Sequence, residues 1–238
     1  MDLKELFKEY NISLSDLQCE MFDKYFNFLI QENEKYNLTG ITEKNEVYIK
    51  HFLDSVLPAD VFESNSNILD IGAGAGFPSV PLAILRPDLK FTLIDSVNKK
   101  VNFLNQLINL LNLQNVVAYH TRCEDYTKDN REKYDYVVAR AVASMNTLLE
   151  YMVPFAKVGG NIVMYKGDNY NQELLDCVNV IKMFHVKQSD ILTFDLKEYG
   201  KRHVVVFNKQ QTTSNKYPRG GNKPRLEPLH WYFNLIKR

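Results

Sequence analysis

Three glycines at alternate positions, Gly72, Gly74 and Gly76, follow a short apolar run, Ile68–Ile71, and precede Phe77 and Pro78. Glycines there let the chain turn sharply and leave no side chain between the peptide groups and a ligand. N–H groups at the start of a following helix would face that ligand. A carboxylate completes the pattern: Asp95 closes a second apolar run 23 residues after Gly72, where it can accept the hydroxyl protons of a ribose. Ser96 follows it directly. Cys123, Glu124 and Asp125 follow a third run, Arg140 closes a fourth and Lys166-Gly167 close a fifth. Singly, each has an everyday reading, as a tight turn, a helix cap, a solvated loop or an exposed cation, because turn chemistry alone selects Asp and Gly. The glycine turn and Asp95 together, at this spacing, point to an adenine-ribose ligand.

The glycines also discriminate between ligands. The dinucleotide fingerprint is G-x-G-x-x-G, whose last glycine permits close helix packing, and a P-loop supplies a lysine to phosphates. Here the pattern is G-x-G-x-G, Phe77 stands where the fingerprint has glycine, and no such lysine follows. A nucleoside without phosphates fits better, and S-adenosylmethionine is one.

The elements that must position these residues alternate. Strands are predicted at Ile68–Ile71, Phe91–Asp95, Val116–Tyr119, Tyr136–Ala139, Ile162–Lys166, near Ile191–Phe194 and at His203–Phe207. Helices are predicted from Pro78 to about Leu85, over Lys99–Leu111, from Ser144 to about Val153 and over Gln172–Met183. Strand–helix alternation implies right-handed crossovers and a mostly parallel sheet covered on both faces. The last two strands are too close for a helical crossover and should pair antiparallel at one edge. The fold class is therefore α/β, a Rossmann-like seven-stranded sheet of the class I methyltransferase type. Upstream, residues 13–36 read as an amphipathic helix capped by Ser15 with Gln18 three residues on. A second helix is expected over Thr42–Leu57. The expected organisation is an N-terminal helical subdomain (1–60), a cofactor-binding domain (61–208) and a basic tail (209–238).

Composition narrows the class. With 45% hydrophobic and 24% charged residues, and 29 basic against 29 acidic groups, the chain is an ordinary globular protein and its global charge does not mark a nucleic-acid binder. The distribution is uneven: residues 209–238 carry seven Lys or Arg against Glu227 alone, a basic arm. Residues 211–228, with three prolines and Gly220-Gly221, read as an extended, partly mobile segment. Cys19, Cys123 and Cys177 are odd in number and unpaired in spacing, so neither a disulfide framework nor a metal site is expected. The apolar run Ile71–Leu85 is broken by Gly and Pro, which argues against a membrane span. A cytoplasmic protein without membrane or metal follows.

Several motifs carry a closer likeness. Tyr36-Asn37-Leu38-Thr39, His51-Phe52-Leu53-Asp54-Ser55, Asp70 to Pro78, Thr92 to Ser96, Ala139 to Ser144, Lys166-Gly167 and Arg202-His203 occur in one order. Together, over roughly residues 20–225, they resemble the bacterial 16S ribosomal RNA guanine-N7 methyltransferase family, also called the glucose-inhibited division protein B family. Ser79 departs from the glycine usual in that family; tighter packing and retained cofactor binding are expected. The resemblance implies S-adenosylmethionine as cofactor, the 16S rRNA of the small ribosomal subunit as partner, and a monomer. It places Gly72, Phe77, Cys123, Glu124 and Arg140 at the cofactor, and Asn37, His51, Lys166 and Arg202 toward the catalytic pocket and RNA.

Methyl transfer from a sulfonium is an in-line displacement, carried mostly by positioning and electrostatics. Guanine N7 offers a ring lone pair, so no general base is required. The sequence is compatible: the Asn/Asp-Pro-Pro-aromatic motif of exocyclic-amine methylation is missing after the fourth strand, which reads Ala139-Arg140-Ala141-Val142, and no cysteine lies there as a nucleophile. Arg140 is assigned to holding the target base or its phosphate. His51 is as readily a hydrogen-bonded surface histidine as an RNA-orienting one. A methyltransferase of the same fold acting on a small molecule or protein, and a non-catalytic nucleoside-binding protein, remain the alternatives.

Overall fold

Ile68, Leu69, Asp70 and Ile71 are all buried, which requires cover on both faces of the strand they form. In the computed structural model, which describes residues 2–229, that strand is β1 (Asn67–Ile71), flanked in parallel by β2 (Lys90–Asp95) and β4 (Tyr134–Arg140). The sheet is completed by β3 (Val116–His120), β5 (Ala156–Lys166), β6 (Val186–Asp195) and β7 (Lys201–Lys209), in the order β3-β2-β1-β4-β5-β7-β6. Its helices are α1 (Leu3–Lys8), α2 (Asp16–Tyr36), α3 (Lys44–Val47), α4 (Asp54–Val56), α5 (Ser79–Leu85), α6 (Asn98–Leu110), α7 (Cys123–Asn130), α8 (Met145–Met152), α9 (Tyr170–Met183) and α10 (Lys223–Leu226).

Alternation along each strand divides the interior in two. Ile68, Phe91, Leu93, Tyr136 and Val138 join a core with α1 to α6. Leu69, Ile71, Ile94, Val137 and Ala139 join a second core with α8 and α9. The N-terminal helices thus share one core with the sheet, and that core runs across residue 60. Asp70 points into the first core, fully buried, and neither of its oxygens nor the equally buried Ser79 hydroxyl has a hydrogen-bond partner. Burial pushes the Asp70 carboxyl up to about 7, and the Arg140 charge offsets only part of the shift.

The predicted α/β architecture stands, with corrections. The last two strands do pair antiparallel at one edge, as expected; what the sequence did not give is their order, with β7 inside, running against both β5 and β6, and β6 on the rim. Val204 to Phe207 are all buried and need neighbours on either side, whereas β6 is largely exposed and takes the rim. Helix α1 was not anticipated; Asp2 caps it by accepting from the Lys4 and Glu5 amides. Nor was α7, which begins at Cys123 where a loop was expected. The second N-terminal helix is interrupted by a π-helical turn at Tyr48–Leu53. Ser15 and Gln18 do form the predicted capping box. Lys209, at the start of the expected basic tail, ends β7 and is wholly buried, bonded to Glu132 and to the carbonyls of Val153 and Ala156; the irregular segment after it is tied down by Arg131, which donates to the carbonyls of Thr213, Ser214 and Tyr217. Lys237 and Arg238 of the predicted basic tail lie outside the described residues.

Candidate cofactor cavity and the adjoining polar cluster

Beyond the carboxyl ends of β1 to β4 lies a cavity of about 490 Å³, within the size range of small-ligand sites. Each strand end contributes what its sequence carries there. Gly72 turns out of β1 with φ +73°, and a Cβ at that position would stand 3.0 Å from Val142 Cγ2. Glycine is therefore required both by backbone conformation and by space. Asp95, at the end of β2, accepts from the Gly74 amide on Oδ2 at 3.0 Å and from the Val97 amide on Oδ1 at 2.9 Å. It ties the glycine turn to the start of α6, as a turn residue would, and it also lines the cavity. Lys100 stands 3.9 Å from its carboxylate. Ser96, Cys123 and Glu124 line the same space. Cys123 is buried in the first turn of α7, and desolvation holds its thiol well above its ordinary range, so it packs as a neutral thiol.

Gly74, Gly76, Phe77 and Arg140 do not line this cavity. Gly76 has φ +98°, and a Cβ there would meet Tyr25 Oη and Val80 Cγ2, each at 2.8 Å; its role is the close seating of the turn against α2 and α5. Tyr25 further donates to the Ala75 carbonyl. Phe77 and Arg140 face the first core because Arg140 shares strand parity with Val138. They meet there in a polar cluster. His51 stacks on Phe77 with centroids 4.4 Å apart, and the Arg140 guanidinium carbon lies 4.9 Å over the same ring. Arg140 Nη1 is 2.8 Å from Asp54 Oδ2, and Arg202 Nε is 3.7 Å from Asp54 Oδ1.

The proton positions in this cluster follow from donor inventory. His51 Nδ1 lies 3.2 Å from both Arg140 Nη2 and the Lys50 carbonyl oxygen. A guanidinium can only donate, so Nδ1 accepts and the Lys50 carbonyl is not bonded to it. Nε2–H then donates to Thr39 Oγ1 at 2.8 Å, which also receives the Ile41 amide. Burial, reinforced by the Arg140 charge, lowers the His51 value to about 3, so the ring is neutral. Burial pushes the Asp54 carboxyl up, and the two arginines pull it back. The result is a set of groups that orient and hold, without a free base.

The sequence-predicted residues therefore divide. Gly72, Asp95, Ser96, Cys123 and Glu124 lie at the cavity; Phe77, His51, Arg140 and Arg202 lie in the cluster. The two are joined by short lengths of chain, since Ala141 and Val142, directly after Arg140, line the cavity. Asn37 ends α2 in the left-handed conformation (φ 51°) with its side chain exposed, two residues before Thr39. Lys166 is a correction. It sits on the opposite parity of β5, with its side chain 7% exposed, donating to Glu173 Oε2 at 2.7 Å and to the Ala143 carbonyl. Its charge is consumed by α9, and it does not face the cluster. Sequence reasoning missed Asp54 and Thr39 as the partners that fix Arg140 and His51, although both fall inside quoted motifs. It also missed Tyr151, Asn222 and Arg225 at the cavity, for which no local pattern exists.

No helix among the described residues is long and apolar enough to cross a membrane, and among them no group of three metal-ligating side chains occurs. The sheet resembles that of TYW2 from M. jannaschii, solved in complex with AdoMet. That likeness has a TM-score of 0.51 at 21% identity, covering 66% of this chain and 74% of that one, and concerns the fold. The chain is 45% identical to the ribosomal RNA small subunit methyltransferase G of Streptococcus pneumoniae serotype 19F (strain G54), across 94% of this chain and 97% of that protein. It is 44% identical to the protein of the same name from Lactococcus lactis subsp. cremoris, across 93% and 95%. The family model for GidB, rRNA small subunit methyltransferase G, matches residues 18–205, and the chain belongs to that family.

Proposed function

We propose that the protein transfers a methyl group from S-adenosylmethionine to N7 of a guanine in the 16S rRNA of the small ribosomal subunit. The observation that carries this reading is the pairing of a nucleoside-sized cavity, bounded by Gly72 and Asp95, with a base-free cationic cluster reached through Phe77 and Arg140. The cavity's lining suits such a cofactor: a carboxylate at ribose position, a turn at Gly72 that puts no side chain between backbone and ligand, and no lysine placed as in a phosphate loop. When bound there, the sulfonium supplies an electrophilic methyl group.

The chain's own residues then act by placement. Asp95 holds the nucleoside end and, through the Gly74 amide, keeps the turn closed on it. Arg140, fixed by Asp54 and stacked on Phe77, presents guanidinium donors that suit the acceptor edge of a guanine or its phosphate. His51 stays neutral and donates to Thr39, which keeps the Phe77 face in place. Attack by N7 uses a ring lone pair and releases no proton, in keeping with a cluster whose single carboxylate, Asp54, is already engaged by two arginines. Arg202, partly exposed, extends the cationic surface toward a polyanion.

The test is transfer of labelled methyl from S-adenosylmethionine to small-subunit rRNA purified from cells lacking this modification, followed by mapping of methylated guanines. Incorporation at one guanine N7 is expected. Label confined to protein or small molecules, or no label at all, would end the proposal.

A further inference from the structure

The C-terminal segment looks in sequence like an arm for nucleic acid, yet one of its cations, Arg219, turns inward onto a buried carboxylate, while Lys216, Lys223 and Arg225 stay exposed. Arg219 forks onto Glu150: its Nε and backbone amide reach Oε1 and its Nη2 reaches Oε2, each at 2.8 Å. Glu150 is fully buried on α8, and its carboxylate receives hydrogen bonds from no other residue among those described. Arg131 donates to the carbonyls of Thr213, Ser214 and Tyr217. Thr147 on α8 donates to the Pro224 carbonyl at 2.9 Å, and Asn146 to that of Leu229 at 3.2 Å. A buried carboxylate whose partner swings away is left uncompensated, so α8 requires this segment in place.

Held this way, the short α10 brings Asn222 and Arg225 onto the cavity that Gly72 and Asp95 line from the other side. The Asn222 amide donates to Glu124 Oε1 at 3.3 Å and Arg225 Nη2 to the Val142 carbonyl at 3.4 Å. Both contacts are long and both go to cavity-lining residues. We infer that residues 219–229 form the outer wall of the cofactor cavity, with Asn222 and Arg225 as cofactor-binding residues and the Glu150–Arg219 pair as the latch that positions them. This rests on the S-adenosylmethionine reading above. Arg225 is the cation of the wall, facing a cavity whose acidic groups are Asp95 and Glu124, and it suits a ligand that is a nucleoside carrying its own carboxylate. The segment serves the methyl donor rather than the RNA.

The experiment uses the full chain, with S-adenosylhomocysteine as probe in calorimetry and a 16S rRNA transcript in filter binding. Arg225→Ala strips an exposed side chain and strands no buried charge, so its fold is kept. It should weaken S-adenosylhomocysteine binding by about tenfold or more while transcript affinity stays at the wild-type level. Glu150→Gln keeps the shape of the latch but loses its charge, and should weaken the same ligand without changing transcript affinity. In the wild type, bound S-adenosylhomocysteine should slow tryptic cleavage after Arg225. Wild-type ligand affinity in Arg225→Ala, or a loss confined to transcript binding, overturns the wall. Failure of the wild type to bind S-adenosylhomocysteine at all would instead sink the cofactor reading, and the wall with it.

Discussion

Asp70→Asn is a demanding test of the buried framework beneath the glycine turn. The side chain is fully buried on β1, both oxygens lack partners, and burial lifts its value from 3.8 to about 7. At about 1.36 kcal/mol per pH unit, keeping this group charged above neutral pH costs the fold on the order of 4 kcal/mol. The sign follows from proton counts. Between about pH 4 and 7 the native state holds the Asp70 proton and the unfolded chain has lost it, so stability falls as pH rises through that window. Asparagine does not titrate. The stability of Asp70→Asn relative to wild type should therefore improve by about 2.5 kcal/mol between pH 5 and pH 7.5. Any fixed penalty for burying an amide in the same slot drops out of that comparison. So does His51, which is the same in both proteins. Urea unfolding of the two proteins at each pH measures the quantity. A wild-type–variant difference that stays constant across the window, or shrinks as pH rises, would refute the account of Asp70 as a carboxyl held neutral by burial.

Other changes test the site. Arg140→Ala should abolish methyl incorporation and also destabilise by about 3 kcal/mol, because Asp54 keeps only the more distant Arg202; Asp54→Asn added to it should restore the urea midpoint but not activity. Recovery of turnover in that double variant would remove Arg140 from its role. Gly76→Ala forces a Cβ into Tyr25 and Val80 at positive φ and should lower stability by about 2–3 kcal/mol, read from thermal unfolding. Asp95→Ala should weaken S-adenosylhomocysteine binding by calorimetry by about tenfold or more, since the ligand contact proposed for it and its grip on the Gly74 amide both go. His51, lowered to about 3, should place no inflection in the kcat/KM profile from about pH 5.5 to 8; an inflection near 6.5 that His51→Gln removes would contradict the neutral ring. Because its value is depressed, the stability it contributes is present above about pH 6.5 and is lost as pH falls toward 3.

Much of the cavity was legible in sequence because it is built from local signals. A buried apolar run, glycines at alternate positions and an acid closing the next run are readable along the chain, and parallel strand order carries their ends to one rim. The same holds for the Ser15–Gln18 cap and the β6–β7 hairpin, whose partners are close in sequence. The faces were not legible. Nothing local in Phe77 or Arg140 tells which face each takes; strand parity and the packing of α2 and the π-helical turn put them beside His51 and Asp54. Lys166 carried a charge that suggested RNA, and only α9 revealed Glu173 as its partner. The basic tail is the clearest case: composition showed its cations, but Lys209 is neutralised by Glu132, 77 positions away, and Arg219 by Glu150, 69 away. A local pattern determines what a residue can do. What it does is decided by long-range packing, because a charge withdrawn from water must find its partner wherever the fold has brought one.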